Sequence, residues 1–192
     1  MSLDENTETT HATLRIMFEK RQYQNVVETD NFISGTDHTG QRVHAFKEIF
    51  TDLNVKVISD IIKVLNNLEQ TEKIHGIVIY KDNCTSAVNK SILPTAANVN
   101  VNIEIFPQLD LLYVCIHHDL VPAHHRLSSE EALKFKKDFV SVDSKGKYRL
   151  KIPIIFTSDP IARFYNFRSG DIIRVERKNE LPAFRVVVSK SK

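Results

Sequence analysis

Apolar residues recur along this chain with two different periods, and the place where each period runs sets the expected elements. Val57, Ile58, Ile61, Ile62, Leu65 and Leu68 follow the i, i+3, i+4, i+7 spacing of one helical face, which predicts a helix lying against a core. Leu14, Met17 and Phe18 repeat that spacing earlier, with Thr10 placed to cap a helix that continues toward Tyr23. Gly76 to Tyr80 (GIVIY) is a short apolar run suited to a buried strand, and Val99 to Phe106 (VNVNIEIF) alternates with period two. Between them Thr85 to Leu93, ending before Pro94, reads as helical, while Ser34 to Gln41 (SGTDHTGQ) reads as a loop. Helix, strand, helix, strand predicts an α/β domain over residues 1–112.

From Tyr113 onward the elements shorten. Ser128 is placed to cap a helix, with Glu131 three residues later completing a capping box, and Lys136 and Lys137 complement the dipole at its far end. Asp143 to Lys147 (DSKGK) reads as a turn-rich linker. Asp159 followed by Pro160 has the form of an N-cap with proline at the first helical position, opening a short helix through Phe164 or Tyr165. A turn at Gly170 leads into a strand from Ile172 to Arg177, and Phe184 to Val188 supplies a second strand of the same hairpin. The expected class is therefore α+β: an N-terminal α/β domain, 1–112, then a small β-rich domain with short helices, 113–192.

Composition supports an ordinary globular chain, with 42% hydrophobic and 26% charged residues. No apolar stretch approaches the roughly 20 residues that cross a bilayer, and Met1 to Thr10 is polar and acidic, so neither a membrane span nor a secretory leader is expected. Cys84 and Cys115 lack metal-ligand spacing, and no disulfide is expected. The net charge of +2 conceals an asymmetry: residues 1–112 hold 10 Lys and Arg against 15 Asp and Glu, whereas 113–192 hold 16 against 9. A basic half can face nucleic acid or an acidic protein surface.

Three constellations invite chemistry. His117, His118, His124 and His125 are rich in metal-type nitrogen, but Pro122 interrupts them and the HExxH helical pairing is missing, so structural histidines are favoured. Glu104 on a predicted strand has the placement of a nuclease carboxylate, yet the usual lysine two residues on is replaced by Phe106. Arg163, Phe164, Tyr165, Phe167 and Arg168 interleave basic and aromatic groups that can pair phosphates and stack bases; a core role for the aromatics is favoured in so small a module. Neither a nucleophile elbow nor a phosphate-binding glycine loop occurs in the sequence.

Two ordered segments carry a resemblance. His118-Asp119-Leu120-Val121-Pro122-Ala123-His124, then Leu127-Ser128-Ser129-Glu130-Glu131, resembles the H-E-L-V-P-x-H…L-S-x-E-E opening of the fifth subunit shared by the nuclear RNA polymerases and of its archaeal counterpart. Ser158-Asp159-Pro160-Ile161-Ala162-Arg163 and Gly170-Asp171-Ile172-Ile173-Arg174-Val175 resemble that family's S-D-P-V-A-R…G-D-V-V-K-I. The resemblance implies a non-catalytic polymerase subunit without cofactor, metal, membrane or small-molecule substrate, working in the nucleus, or in the nucleolus if it serves polymerase I alone. It further implies that 113–192 is an assembly domain docked on the largest subunit among other polymerase subunits, and that 1–112 is a jaw-like domain near downstream DNA. The residues it marks for assembly are His118, Leu120, Val121, Pro122, His124, Ser158, Asp159, Pro160, Arg163, Gly170 and Asp171. Pro122 is expected to end a strand. This chain departs from the pattern at Asn166, where the family usually has glycine, and in a shortened final hairpin, Asn179 to Arg185; both fit a divergent paralogue restricted to one polymerase, or a virus-encoded version. The alternative function is a stand-alone nucleic-acid-binding module acting through the basic half.

Overall fold

A computed structural model describes residues 3–68, 73–92, 100–142, 148–150, 152–178 and 180–189. The predicted linker Asp143 to Lys147 lies outside the described residues, as do Leu93, Pro94 and Val99. The chain divides into two compact units, Met1–Tyr113 and Val114–Lys192, and the architecture is α+β, as expected.

In the first unit α1 (Leu3–Lys20) precedes β1 (Gln24–Glu28), β2 (Phe32–Thr36) and β3 (Arg42–Leu53). Then follow α2 (Val55–Leu68), β4 (Ile74–Cys84), α3 (Ser86–Ser91), β5 (Val101–Pro107) and the single turn α4 (Gln108–Leu111). The strands form one mixed sheet in the order β1-β2-β3-β4-β5, antiparallel from β1 to β3 and parallel from β3 to β5. Because neighbouring strand residues point to opposite faces, the sheet is covered on both sides. The apolar stripe of α2 seats Ile58, Ile61 and Leu65 against Phe46, Ile74, Val78 and Ile103 on one face. Burying a side chain such as Leu65 stabilises by roughly 1.5–3 kcal/mol. Gly76 permits this close seating, since a Cβ there would lie 2.7 Å from Leu65 Cδ1. The opposite face receives α1, whose Phe18 reaches Gly35 on β2.

Two N-terminal expectations are corrected. The first helix starts at Leu3 rather than at a Thr10 cap; Thr10 is mid-helix and its hydroxyl donates back to the Asn6 carbonyl at 2.7 Å. Ser34, Gly35 and Thr36, expected in a loop, belong to β2, so the turn is confined to 37–41, where Asp37 Oδ1 accepts from the Thr39 and Gln41 amides. Helix α1 ends in a Schellman motif: the Gln22 amide bonds the Glu19 carbonyl and the Tyr23 amide the Phe18 carbonyl, with Gln22 at φ 57°. That turn carries Arg21 at the C-cap position.

The second unit contains β6 (Ala123–Arg126), α5 (Ser129–Phe139), β7 (Val140–Val142), β8 (Tyr148–Leu150), β9 (Ile154–Phe156), α6 (Pro160–Phe164), β10 (Ile172–Glu176) and β11 (Ala183–Val188). Its main sheet runs β6-β10-β11-β9, with β7 and β8 as a separate antiparallel pair. The predicted hairpin is β10–β11. Ile155, Ala162, Phe167, Ile173, Val175 and Val187 form its core. The capping box is present, with the Ser128 amide donating to Glu131 Oε2 at 2.8 Å and the Glu131 amide to Ser128 Oγ at 3.2 Å. Phe135 of α5 lies over Phe184 of β11, ring centroids 4.5 Å apart.

Candidate functional site

The residues marked for assembly fall in three local groups, and most of them are spent on backbone shape. In the first, a turn closes from the Val121 amide to the His118 carbonyl, braced by the Leu120 amide donating to His118 Nδ1 at 3.2 Å. This leaves Leu120 projecting, with 85% of its surface exposed. Pro122 does not end a strand: it precedes β6, and its carbonyl accepts a 2.7 Å hydrogen bond from His124 Nδ1. That bond places the ring proton on Nδ1 in neutral His124. Burial pushes the His124 pKa down, outweighing the Pro122 carbonyl that pulls it up.

In the second group Ser158 is exposed and the Asp159 carboxylate caps α6, its Oδ1 accepting from the Ile161 amide at 2.8 Å with Pro160 opening the helix. This is the N-cap and proline arrangement expected from the sequence. Arg163 is half-buried on α6, which packs against the 3-10 turn Cys115–His117, just ahead of His118. The helix ends in a second Schellman motif: the Asn166 amide bonds the Arg163 carbonyl and the Phe167 amide the Ala162 carbonyl, with Asn166 at φ 53°. Asn166→Val should therefore lower the unfolding free energy by about 1–2 kcal/mol, and Asn166→Gly should change it little. Urea denaturation of the two variants checks this.

In the third group Gly170 takes φ 96° in the turn before β10. Asp171 Oδ2 accepts from the Arg168 amide at 2.8 Å, and Arg126 Nη1 of the neighbouring strand lies 3.5 Å from the same oxygen. A ladder from Ile173 to Arg126 fixes β6 beside β10, so the third group is tied to the strand that follows the first.

The candidates for chemistry meet the same fate. His124 and His125 are adjacent on β6 and point to opposite faces, so the four histidines do not converge. His124 stands opposite Val175, and His125 opposite Arg174. Among the described residues no group of three or more His, Cys, Asp or Glu is placed to hold a metal. Phe164 and Phe167 are buried, and Tyr165 stacks on Phe167 with centroids 5.1 Å apart, so these rings fill the core instead of forming a platform for bases.

Glu104 is likewise engaged. Arg21 grips its carboxylate with Nη1 to Oε1 at 3.1 Å and Nη2 to Oε2 at 2.8 Å, and also donates to the Tyr23 hydroxyl at 3.2 Å. His75 Nε2 lies 2.7 Å from Oε1. Burial alone would push the Glu104 carboxyl up, but Arg21 and His75 together hold it well below the usual range. A carboxylate whose charge is already neutralised in this way is a poor ligand for Mg²⁺. No sequence signal points to this triad, because its members are scattered along the chain.

Residues 113–187 match the family model described as RNA polymerase Rpb5, C-terminal domain. Over 76 residues the chain is 41% identical to the DNA-directed RNA polymerase subunit Rpo5 of Saccharolobus shibatae, covering 38% of this chain and 83% of that one. The chain belongs to the RNA polymerase subunit 5 family. Similarity extends upstream at lower identity. It is 25% over 131 residues to the subunit rpabc1 of RNA polymerases I, II and III of Dictyostelium discoideum, covering 68% of this chain and 64% of the relative. It is 27% over 154 residues to the RNA polymerase V subunit 5A of Arabidopsis thaliana, covering 78% and 65%. The chain thus spans just under two thirds of the length of each of these two eukaryotic relatives. Within the family pattern, Asn166 shows what its departure from glycine costs the fold: little, because asparagine tolerates the left-handed conformation the Schellman turn demands.

Proposed function

We propose that the chain is a non-catalytic structural subunit of a DNA-directed RNA polymerase. Residues 113–192 serve as the assembly domain that docks on the largest subunit, and residues 1–112 as a jaw-like domain near downstream DNA, within the nucleus. The observation that carries this reading is the match of 113–187 to the Rpb5 C-terminal domain. It is supported by Asp159, Pro160, Gly170 and Asp171, which build turns and a helix start in the matched segment. The excess of acidic over basic residues in 1–112, 15 against 10, argues that this part lies beside DNA without gripping it, since duplex affinity comes from neutralising phosphates.

Affinity purification of the tagged chain tests the reading. The largest polymerase subunits should be recovered in near-stoichiometric amount; their absence from the eluate rejects it. Microscopy of the tagged chain should place it in the nucleus, with nucleolar concentration if it serves polymerase I alone.

A further inference from the structure

We propose that β9 is a strand-addition edge, through which the C-terminal unit receives an extended, acidic segment of a polymerase partner. The inference rests on the polymerase-subunit reading above and names how that docking is made. In the ladder with β11, the Val186 amide bonds the Pro153 carbonyl at 2.9 Å and the Thr157 amide bonds the Val188 carbonyl at 3.0 Å. The pairs Val186↔Ile154, Val187↔Ile155 and Val188↔Phe156 then direct the Ile155 amide and carbonyl toward β11. By the same alternation the Ile154 amide, the Ile154 carbonyl and the Phe156 amide point away from the sheet, while the Phe156 carbonyl is taken by the Asp159 amide at 3.0 Å. Three ladder groups in a row, facing outward at a sheet edge, suit an added strand and no other secondary structure.

The side chains agree with the main chain. Ile155 is buried, whereas Ile154 and Phe156 stand on the other face with 51% and 39% of their surfaces exposed, beside half-buried Val186 and Val188. Edge strands are usually blunted by charge or bulges. The opposite edge of this sheet, β6, carries His125 and Arg126. The outer strand of the first unit, β1, has an irregular register and Asn25 at φ 51°. Strand β9 has neither device.

Charge selects the occupant. Residues 113–192 hold 16 Lys and Arg against 9 Asp and Glu. Phe184, two residues from Val186 on the same face, is covered by Phe135 of α5, a helix on which Lys134 and Lys137 are exposed. The matching segment has apolar side chains at alternate positions and acidic residues toward α5.

The test compares the free full chain with the purified polymerase containing it. Amide exchange in the peptide Pro153–Asp159 should slow at least about tenfold in the complex, at Ile154 and Phe156. Recovery of the largest subunit should fall at least about tenfold for Ile154→Glu with Phe156→Glu, and less for Ile154→Lys with Phe156→Lys, which keeps the attraction. Both positions are exposed, and if either variant misfolds the exchange measurement on the wild-type chain still decides. Unchanged exchange in a polymerase that does contain the chain overturns strand addition and leaves the subunit reading intact. Equal loss for the Glu and Lys pairs overturns the acidic partner. Slowing in the free chain that grows with its concentration assigns the edge to a second copy and overturns the proposal. Failure of the wild-type chain to recover any polymerase rejects both readings.

Discussion

Glu104→Ala is expected to destabilise the N-terminal unit by about 3 kcal/mol. The Arg21 side chain is 1% exposed and loses its bidentate partner, so the substitution strands a charge that the fold cannot return to water. The expected loss sits at the low end of the range for a broken buried pair because Glu104 retains 19% exposure. Glu104→Gln should recover little, since a neutral amide leaves the guanidinium uncompensated. Replacing both partners, Arg21→Met with Glu104→Leu, should return the unit to within about 1 kcal/mol of the parent, because desolvation offsets most of what a buried pair contributes. Urea titration followed by amide exchange in β4 and β5 peptides measures the effect on this unit alone. A Glu104→Ala chain as stable as the parent would remove the triad from the account of this fold and reopen the nuclease reading.

The triad also sets how the unit responds to acid. Glu104 is held below its unfolded value, and Glu28 is lowered from 4.5 to about 2 by hydrogen bonds from Arg15 and then Lys47. A carboxyl depressed in the folded state adds stability that is present above the unfolded value and is lost as pH falls toward the folded one. The urea midpoint should therefore be flat from neutral pH down to about 5 and decline between 4.5 and about 2. The Arg21→Met, Glu104→Leu chain should decline less steeply over that interval.

How much of this is legible in the sequence depends on whether a residue's role is local. The α2 stripe, the Ser128–Glu131 capping box and the Asp159-Pro160 helix start involve neighbours within one or two turns, and each is readable with its structural role intact. Asn166 can be read as left-handed because its own backbone preference carries the information. Strand β3 escapes a reading by period: Val43, His44, Ala45 and Phe46 are all buried in a strand covered on both faces, so no alternation marks it. Strand β1 escapes for the opposite reason, as all five of its residues are exposed. Thr10 misleads because a hydroxyl that bonds back to the preceding turn looks, in sequence, like one that caps the next. The Arg21–Glu104 pair and the outward amides of β9 are products of topology, and no short window contains them.

Phe167→Ala should cost about 3–4 kcal/mol, the other large effect expected in this chain. The ring is 6% exposed, belongs to the core with Ile155, Ala162, Ile173, Val175 and Val187, and lies parallel to Tyr165 at 5.1 Å. Removing it leaves a cavity under β10 and β11 and forfeits the stacking, itself worth about 1 kcal/mol. A unit of this size holds roughly 4–12 kcal/mol in all, so the loss is a large share of it, and amide protection in β9 to β11 should fall about 100-fold or more while β4 and β5 remain protected from exchange. Phe167→Leu should keep most of the stability, because it fills most of the same volume. The pair separates two roles for this aromatic-basic segment. If the ring stacked on bases, Phe167→Ala would weaken nucleic-acid binding in a folded unit. The core position instead couples its loss to the stability of the unit proposed to dock on the polymerase, so Phe167→Leu should retain polymerase association and Phe167→Ala should weaken it.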